Sequence, residues 1–194
     1  MDALLNIDRQ LFFFINRGLQ NPLFDAIMPF LTDLNRKPIA LVIVAILWML
    51  LLWKGGTRGR IAALLLIPAI TLSDQLNSSY LKFIIERPRP CHELWDIHLL
   101  VGCGSGYSFP SSHAVNNFAG ALLLSYFLPR WTWAFFTYAT AVAFSRVYVG
   151  VHYPSDIVAG AIVGLAIGAL IIFIFRLIED CWWKRRTSAA GKQP

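Results

Sequence analysis

Long apolar runs with almost no charge inside them constrain this chain more than any other feature. A helix that crosses a bilayer needs roughly 20 mostly apolar residues. Five stretches approach or exceed that length: Ile39 to Trp53, Ile61 to Ile85, Ala114 to Leu128, Trp131 to Val149 and Ser155 to Leu177. Pro38 precedes the first, where proline suits a helix start. Trp48, Trp53, Tyr126, Trp131, Trp133, Trp182 and Trp183 lie near the ends of these runs, as in an interfacial aromatic belt. Charged residues make up 14% of the chain and hydrophobic ones 57%. Soluble domains carry about 25% charge, so much of this surface is expected to face lipid. The expected fold is therefore all-α, a polytopic membrane bundle with five core transmembrane helices.

The first 35 residues differ. Leu4, Leu5, Leu11, Phe12, Ile15 and Leu19 recur at helical spacing, with Asp8, Arg9, Asn16 and Arg17 between them. That pattern predicts an amphipathic helix lying in the interface. Asn21-Pro22 breaks it. Leu23 to Leu31, interrupted by Asp25 and Pro29, is either a second interfacial helix or part of a poor sixth span. The opening MDALLNIDRQ lacks the basic start and small-residue cleavage site of a secretory signal. Residues 1–194 are expected to form a single domain: 1–35 interfacial, 36–178 transmembrane, 179–194 a cytoplasmic tail.

The distribution of Lys and Arg orients the helices. Lys54, Arg58 and Arg60 share one short turn, Arg130 lies in another, and Lys184, Arg185, Arg186 and Lys192 lie in the tail. The positive-inside rule places all three in the cytoplasm. The loop from Glu86 to Pro110 and the turn from Gly150 to Pro154 then lie outside, on the periplasmic or exterior face of a bacterial inner membrane. The net charge of +6 does not imply nucleic acid, because the basic residues form no run interleaved with aromatics.

Ionisable residues within a membrane are costly and mark function by default. Here they gather at the outer ends of four spans: Lys82, Arg87 and Arg89; Ser111, Ser112 and His113; Arg146; His152 and Asp156. Cations on the outer side run against the positive-inside trend unless a site needs them, and a phosphate is the natural need. Ser111 stands at a helix start, where unpaired N–H groups attract anions. Arg89 and Arg146 can grip phosphate oxygens in bidentate fashion, and Lys82 adds a point charge. Asp156 follows His152 by four residues and can accept a hydrogen bond from one imidazole nitrogen. The other nitrogen is then held toward substrate as a nucleophile. His113 is suited to protonate a leaving oxygen.

The stretches Lys82 to Pro90 (KFIIERPRP), Pro110 to His113 (PSSH) and Ser145 to Asp156 (SRVYVGVHYPSD) resemble the three signatures of the type 2 phosphatidic acid phosphatase superfamily, KxxxxxxRP, PSGH and SRxxxxxHxxxD. The resemblance implies hydrolysis through a phosphohistidine on His152, with His113 as the acid and no metal or cofactor. Lys82, Arg89, Ser111, Arg146 and the backbone near Ser112 would bind phosphate. Ser112 stands where the family usually has glycine, which lets backbone approach phosphate closely.

Other polar residues read differently. Arg87 is off the motif position and is expected to be solvated or to hold a headgroup. Asp74, Gln75 and Asn77 suggest a buried polar network between helices. Gly160, Gly164 and Gly168 make a packing face. His92, Glu93, Asp96 and His98 match no closed zinc spacing, so a solvated or substrate-facing loop is expected. Cys91 and Cys103 share the outer loop, an oxidising place where they could pair, while Cys181 should stay reduced. The functional expectation is a lipid phosphatase acting on a phosphate monoester or diphosphate of a phospholipid or isoprenoid. Undecaprenyl diphosphate leads phosphatidylglycerol phosphate, phosphatidic acid and lipid A phosphate. A lipid-linked phosphotransferase and a lipid-binding or transport protein are the alternatives. The oligomeric state is left open.

Overall fold

The computed structural model describes residues 2–34 and 37–190, with side chains for residues 3–34 and 37–181. Lys192, and the side chains of Trp182, Trp183, Lys184, Arg185 and Arg186, lie outside the described residues. All regular structure among the described residues is helical. The order is α1 (Asp2–Phe13), α2 (Pro22–Thr32), α3 (Pro38–Lys54), α4 (Gly56–Leu76), α5 (Lys82–Ile85), α6 (Pro90–Glu93), α7 (Ser112–Phe127), α8 (Thr132–Tyr148) and α9 (Pro154–Ala190). A π-helical turn, Asn77–Leu81, joins α4 to α5, and another, Phe14–Gly18, extends α1.

Helix boundaries follow the apolar runs closely. Two stretches are long and apolar enough by themselves to cross a membrane, Gly56–Glu93 and Pro154–Cys181. Three others, α3, α7 and α8, have 17, 16 and 17 residues, about 25 Å at 1.5 Å per residue. Helix α7 is central. It packs on α4, α8 and α9 and buries small residues such as Ala114, Ala119, Gly120 and Ala121. Helix α3 is the opposite case. It is apolar along its length yet buries none of its side chains, as expected for a helix whose solvent is lipid.

The glycine face is borne out. A Cβ at Gly164 would stand 2.3 Å from the Val115 carbonyl oxygen, and one at Gly160 2.8 Å from both the Ala114 Cβ and the Ser111 oxygen. Backbone contact therefore sets the α7–α9 distance, and overpacking there costs about 1–3 kcal/mol. That contact holds the start of α7 against the start of α9, where Ser111 N–H donates to the Asp156 backbone oxygen at 3.1 Å.

The N-terminal segment forms two separate helices. Asn21 caps α2 by accepting from Phe24 N–H at 2.9 Å, and α2 packs against α8. Helix α1 is amphipathic, as its spacing predicts, with Phe12 turned to the inner face. Leu4, Leu5, Ile7, Leu11 and Phe14 point outward, while Asp8, Phe12 and Asn16, spaced by four, are buried. An apolar outer face fits lipid, and the polar residues on the inner face each have partners. Asn16 Nδ2 donates to the carbonyls of Tyr148 at 2.7 Å and His98 at 2.8 Å.

Side chains of the loop 86–110 make several contacts with this segment and with the start of the last helix. Glu93 pairs with Arg9 and accepts from the Tyr153 hydroxyl at 2.8 Å. Asp96 pairs with Arg17 at 2.7 Å, and His98 meets Asp25 at 2.9 Å. His92, Glu93 and Asp96 nonetheless stay exposed, as expected of a solvated loop, and only His98 is half-buried. Cys91 and Cys103 form a disulfide, while Cys181 is free and exposed. Cys91, His92 and Cys103 cluster at ligand distances, but the disulfide takes both sulfurs.

Candidate active site

The stretch from Gly150 to Tyr153 turns the chain between α8 and α9 and buries His152 almost completely. Its Nδ1 faces Asp156 Oδ2 at 3.2 Å, one helical turn on, as the four-residue spacing predicts. The same carboxylate oxygen accepts from Tyr153 N–H at 2.9 Å, so Asp156 also caps the first turn of α9. Nδ1 thus has its acceptor, and the imidazole also meets the backbone of Ser108. Burial first, and then the cations of Arg146, Arg89 and Lys82, hold the His152 imidazole well below its ordinary range. The ring is therefore neutral near pH 7.

Those three cations come from separate elements and converge on His152 and Asp156 closely enough to interact electrostatically. Lys82, on α5, donates to the Tyr107 carbonyl at 2.7 Å. Arg89 Nε, just before α6, donates to the Gly106 carbonyl at 3.1 Å. Each contact takes one donor, and an ammonium has three and a guanidinium five. Arg146, near the end of α8, is buried, and its Nη1 donates to Thr32 Oγ1 at 2.7 Å.

The start of α7 supplies the fourth side. Ser111 stands at the N-cap of that helix, as the sequence predicts, though its side chain makes no capping bond. The hydroxyl is instead buried with no hydrogen-bond partner among the described residues. A donor in that position, beside the unpaired N–H groups of a helix start, suits a phosphate oxygen. Ser112 Oγ accepts from Asn77 Nδ2 at 2.7 Å, and Asn77 also donates to the Pro110 carbonyl at 3.3 Å. His113 follows on the same helix, and its carbonyl accepts from Asn117.

The expected polar network in α4 is only partly present. Asn77 is fully buried, whereas Asp74 and Gln75 are exposed and accept from Ser78 and Ser79 on their own helix face. Arg87 is neither solvated nor turned to a headgroup. It is stacked over the Tyr153 ring at 3.9 Å and pairs with Asp156 and Asp8. Four residues of this site carry no motif signal: Asp8, Thr32, Asn77 and Tyr153. Spacing within α1 held a clue to Asp8, since it shares a face with Phe12 and Asn16. Nothing local marks Thr32.

A family model for the PAP2 superfamily matches residues 61–180. The lipid A 4'-phosphatase of Bacteroides thetaiotaomicron is 35% identical over 182 residues, covering 90% of this chain and 79% of that protein. The undecaprenyl-diphosphatase of Sulfolobus acidocaldarius is 31% identical over 166 residues, covering 85% of this chain and 77% of that one. The crystal structure of Aquifex aeolicus LpxE superposes with a TM-score of 0.71 at 29% identity, covering 86% of this chain and 94% of that chain.

Proposed function

The chain belongs to the PAP2 superfamily and is a membrane lipid phosphatase of that type, and on that premise we propose that His152 takes the phosphoryl group from the lipid onto its Nε2. One observation carries this reading: a buried imidazole oriented by Asp156 lies among Lys82, Arg89 and Arg146. Nε2 attacks phosphorus, and the bond from phosphorus to the lipid oxygen breaks. His113 gives that oxygen its proton. Water then attacks the phosphohistidine, His113 takes a proton from it, and phosphate leaves. The three cations, the Ser111 hydroxyl and the N–H groups at the start of α7 would hold the phosphoryl oxygens and stabilise the charge that grows on them. They supply the neutralisation a metal would otherwise provide, so turnover is expected to persist in a chelator.

The reading includes five membrane spans, built on α3, the α4–α5 stretch, α7, α8 and α9, within one domain of residues 1–194. The site faces the periplasm or exterior of a bacterial inner membrane. Lys54, Arg58, Arg60 and Arg130 support that orientation. Thiol labelling tests it. Without reductant, one cysteine per chain, Cys181, should react in detergent. On intact spheroplasts an impermeant reagent should reach Cys91 and Cys103 after reduction and should leave Cys181 untouched. Labelling of Cys181 alone would put the site in the cytoplasm.

The relatives favour two substrates. The 35% identity across 90% of the chain favours a phosphomonoester on a sugar lipid, as in the lipid A 4'-phosphatases. The undecaprenyl-diphosphatase favours an isoprenyl diphosphate, the substrate expected from the sequence. Both present a phosphate at the interface while the tail stays in the bilayer. A panel of lipid A, undecaprenyl diphosphate, phosphatidylglycerol phosphate and phosphatidic acid in mixed micelles should release phosphate fastest from one of the first two, with and without EDTA. Loss of activity in EDTA would overturn the metal-independent mechanism. Release only when an acceptor lipid is added would make the protein a phosphotransferase.

A further inference from the structure

From contacts outside the three motifs, we infer that Asp8 and Arg87 form a positioning pair that fixes the Asp156 carboxylate behind His152, so that the N-terminal helix completes the active site. The inference rests on the phosphohistidine reading above and adds residues to it.

Asp156 divides its two oxygens. Oδ2 takes His152 Nδ1 and Tyr153 N–H, and Oδ1 accepts from Arg87 Nη1 at 2.9 Å. The Arg87 guanidinium reaches the other way with Nη2, which donates to Asp8 Oδ2 at 2.7 Å. Its face is covered by the Tyr153 ring. Asp8 in turn accepts from Ser155 N–H at 2.9 Å and from the Ser155 hydroxyl at 2.5 Å. Helix α1, the segment before α6 and the start of α9 thus meet at one cation held between two carboxylates. Side-chain exposure falls from 15% at Arg87 to 9% at Asp8 and 0% at Asp156.

Geometry gives this arrangement a catalytic consequence. A carboxylate free to rotate would loosen its bond to Nδ1 and let the imidazole change tautomer. The planar guanidinium fixes the carboxylate, which keeps the proton on Nδ1 and the lone pair on Nε2. Arg87 can hold that plane only if its far edge is also held, and Asp8 holds it. The charges around the pair are Arg87 and Arg89 from the outer loop, Lys82 from α5, Arg146 from α8, Asp8 from α1, and Glu93 through Tyr153. Removing Arg87 makes a proton easier to hold on the His152–Asp156 pair. The acid limb of the rate profile then moves to higher pH.

The outward face of α1, Leu4, Leu5, Ile7 and Leu11, is apolar and exposed. Seating that face in the interface and seating Asp8 on Arg87 are therefore one event.

The test uses the full chain in mixed micelles with lipid A and with undecaprenyl diphosphate. Arg87→Ala and Asp8→Asn should lower kcat on the order of 10- to 100-fold, the range for groups that act one step behind a reacting residue. They should change KM by no more than about threefold and raise the acid limb. Inhibition by inorganic phosphate should be retained, which reports a folded phosphate site. Asp8→Glu should recover part of the rate, and Arg9→Ala, which breaks only the exposed pair with Glu93, should behave as wild type. If the alanine variant does not fold, Arg87→Lys carries the test, since one ammonium cannot bridge both carboxylates in a plane. Folded variants with wild-type kcat and pH profile would overturn the pair's role. So would a rate loss matched by equal loss of phosphate inhibition with an unmoved profile, which marks a brace. Absence of wild-type turnover on both substrates would overturn the phosphatase reading instead.

Discussion

Replacing His152 by alanine is expected to abolish turnover and phosphoenzyme together, a loss of roughly 10^4-fold or more. His152 is buried with Nδ1 committed to Asp156, whereas His92, which precedes Asp96 by the same four residues, is exposed. His113 should behave differently. As the acid, it matters in proportion to how poor the leaving group is. His113→Ala should slow a lipid phosphate by about 10^2- to 10^4-fold and p-nitrophenyl phosphate much less, because nitrophenolate leaves without a proton. Asp156→Asn should keep KM while lowering kcat, since the amide can present N–H to Nδ1 and favour the wrong tautomer. Equal losses on both substrates for His113→Ala would deny it the acid's role. Steady-state kinetics on paired substrates checks all three.

The second large effect concerns charge. Lys82→Ala, Arg89→Ala and Arg146→Ala should each lower kcat/KM by about 10^2- to 10^3-fold, or roughly 3–4 kcal/mol, the usual cost of removing a preorganised partner of transition-state charge. Arg146→Lys should rescue little. The Arg146 guanidinium is buried and fixed by Thr32, and an ammonium cannot copy its fork. Vanadate should inhibit the wild type as a mimic of five-coordinate phosphorus and bind each variant more weakly. The same cations help hold His152 below its ordinary range. A lowered imidazole pKa means that the neutral, active form persists as pH falls below the usual value of about 6.5. Removing any of the three cations should therefore move the acid limb of kcat/KM upward. A limb that stays in place in all three variants would separate them from His152.

The spans and the site were legible in the sequence to different depths, for physical reasons. Apolar runs in α3, α4 and α9 announce helices because their side chains meet lipid. The His152–Asp156 contact was legible because it is local, one helical turn on α9. The bridge at Arg87 was not, because its partners Asp8 and Asp156 lie 79 and 69 residues away. The same holds for Thr32, 114 residues from Arg146. Asp74 misled because a carboxylate in an apolar run suggests burial, whereas the helix turns it outward and buries Asn77 instead. Helix α1 was legible as an amphipathic helix from the spacing of its leucines, but the long-range partners of Asp8 and Asn16 on its other face were not.

The central claim is that phosphate passes through His152. Rapid-quench mixing of the wild-type protein with substrate labelled in the scissile phosphate tests it most directly, with alkaline work-up to preserve phosphohistidine and peptide mapping to place the label. Label on His152, rising before free phosphate appears and absent in His152→Ala, is the expected result. Label on His113, or turnover with no bound label at any mixing time, would contradict it.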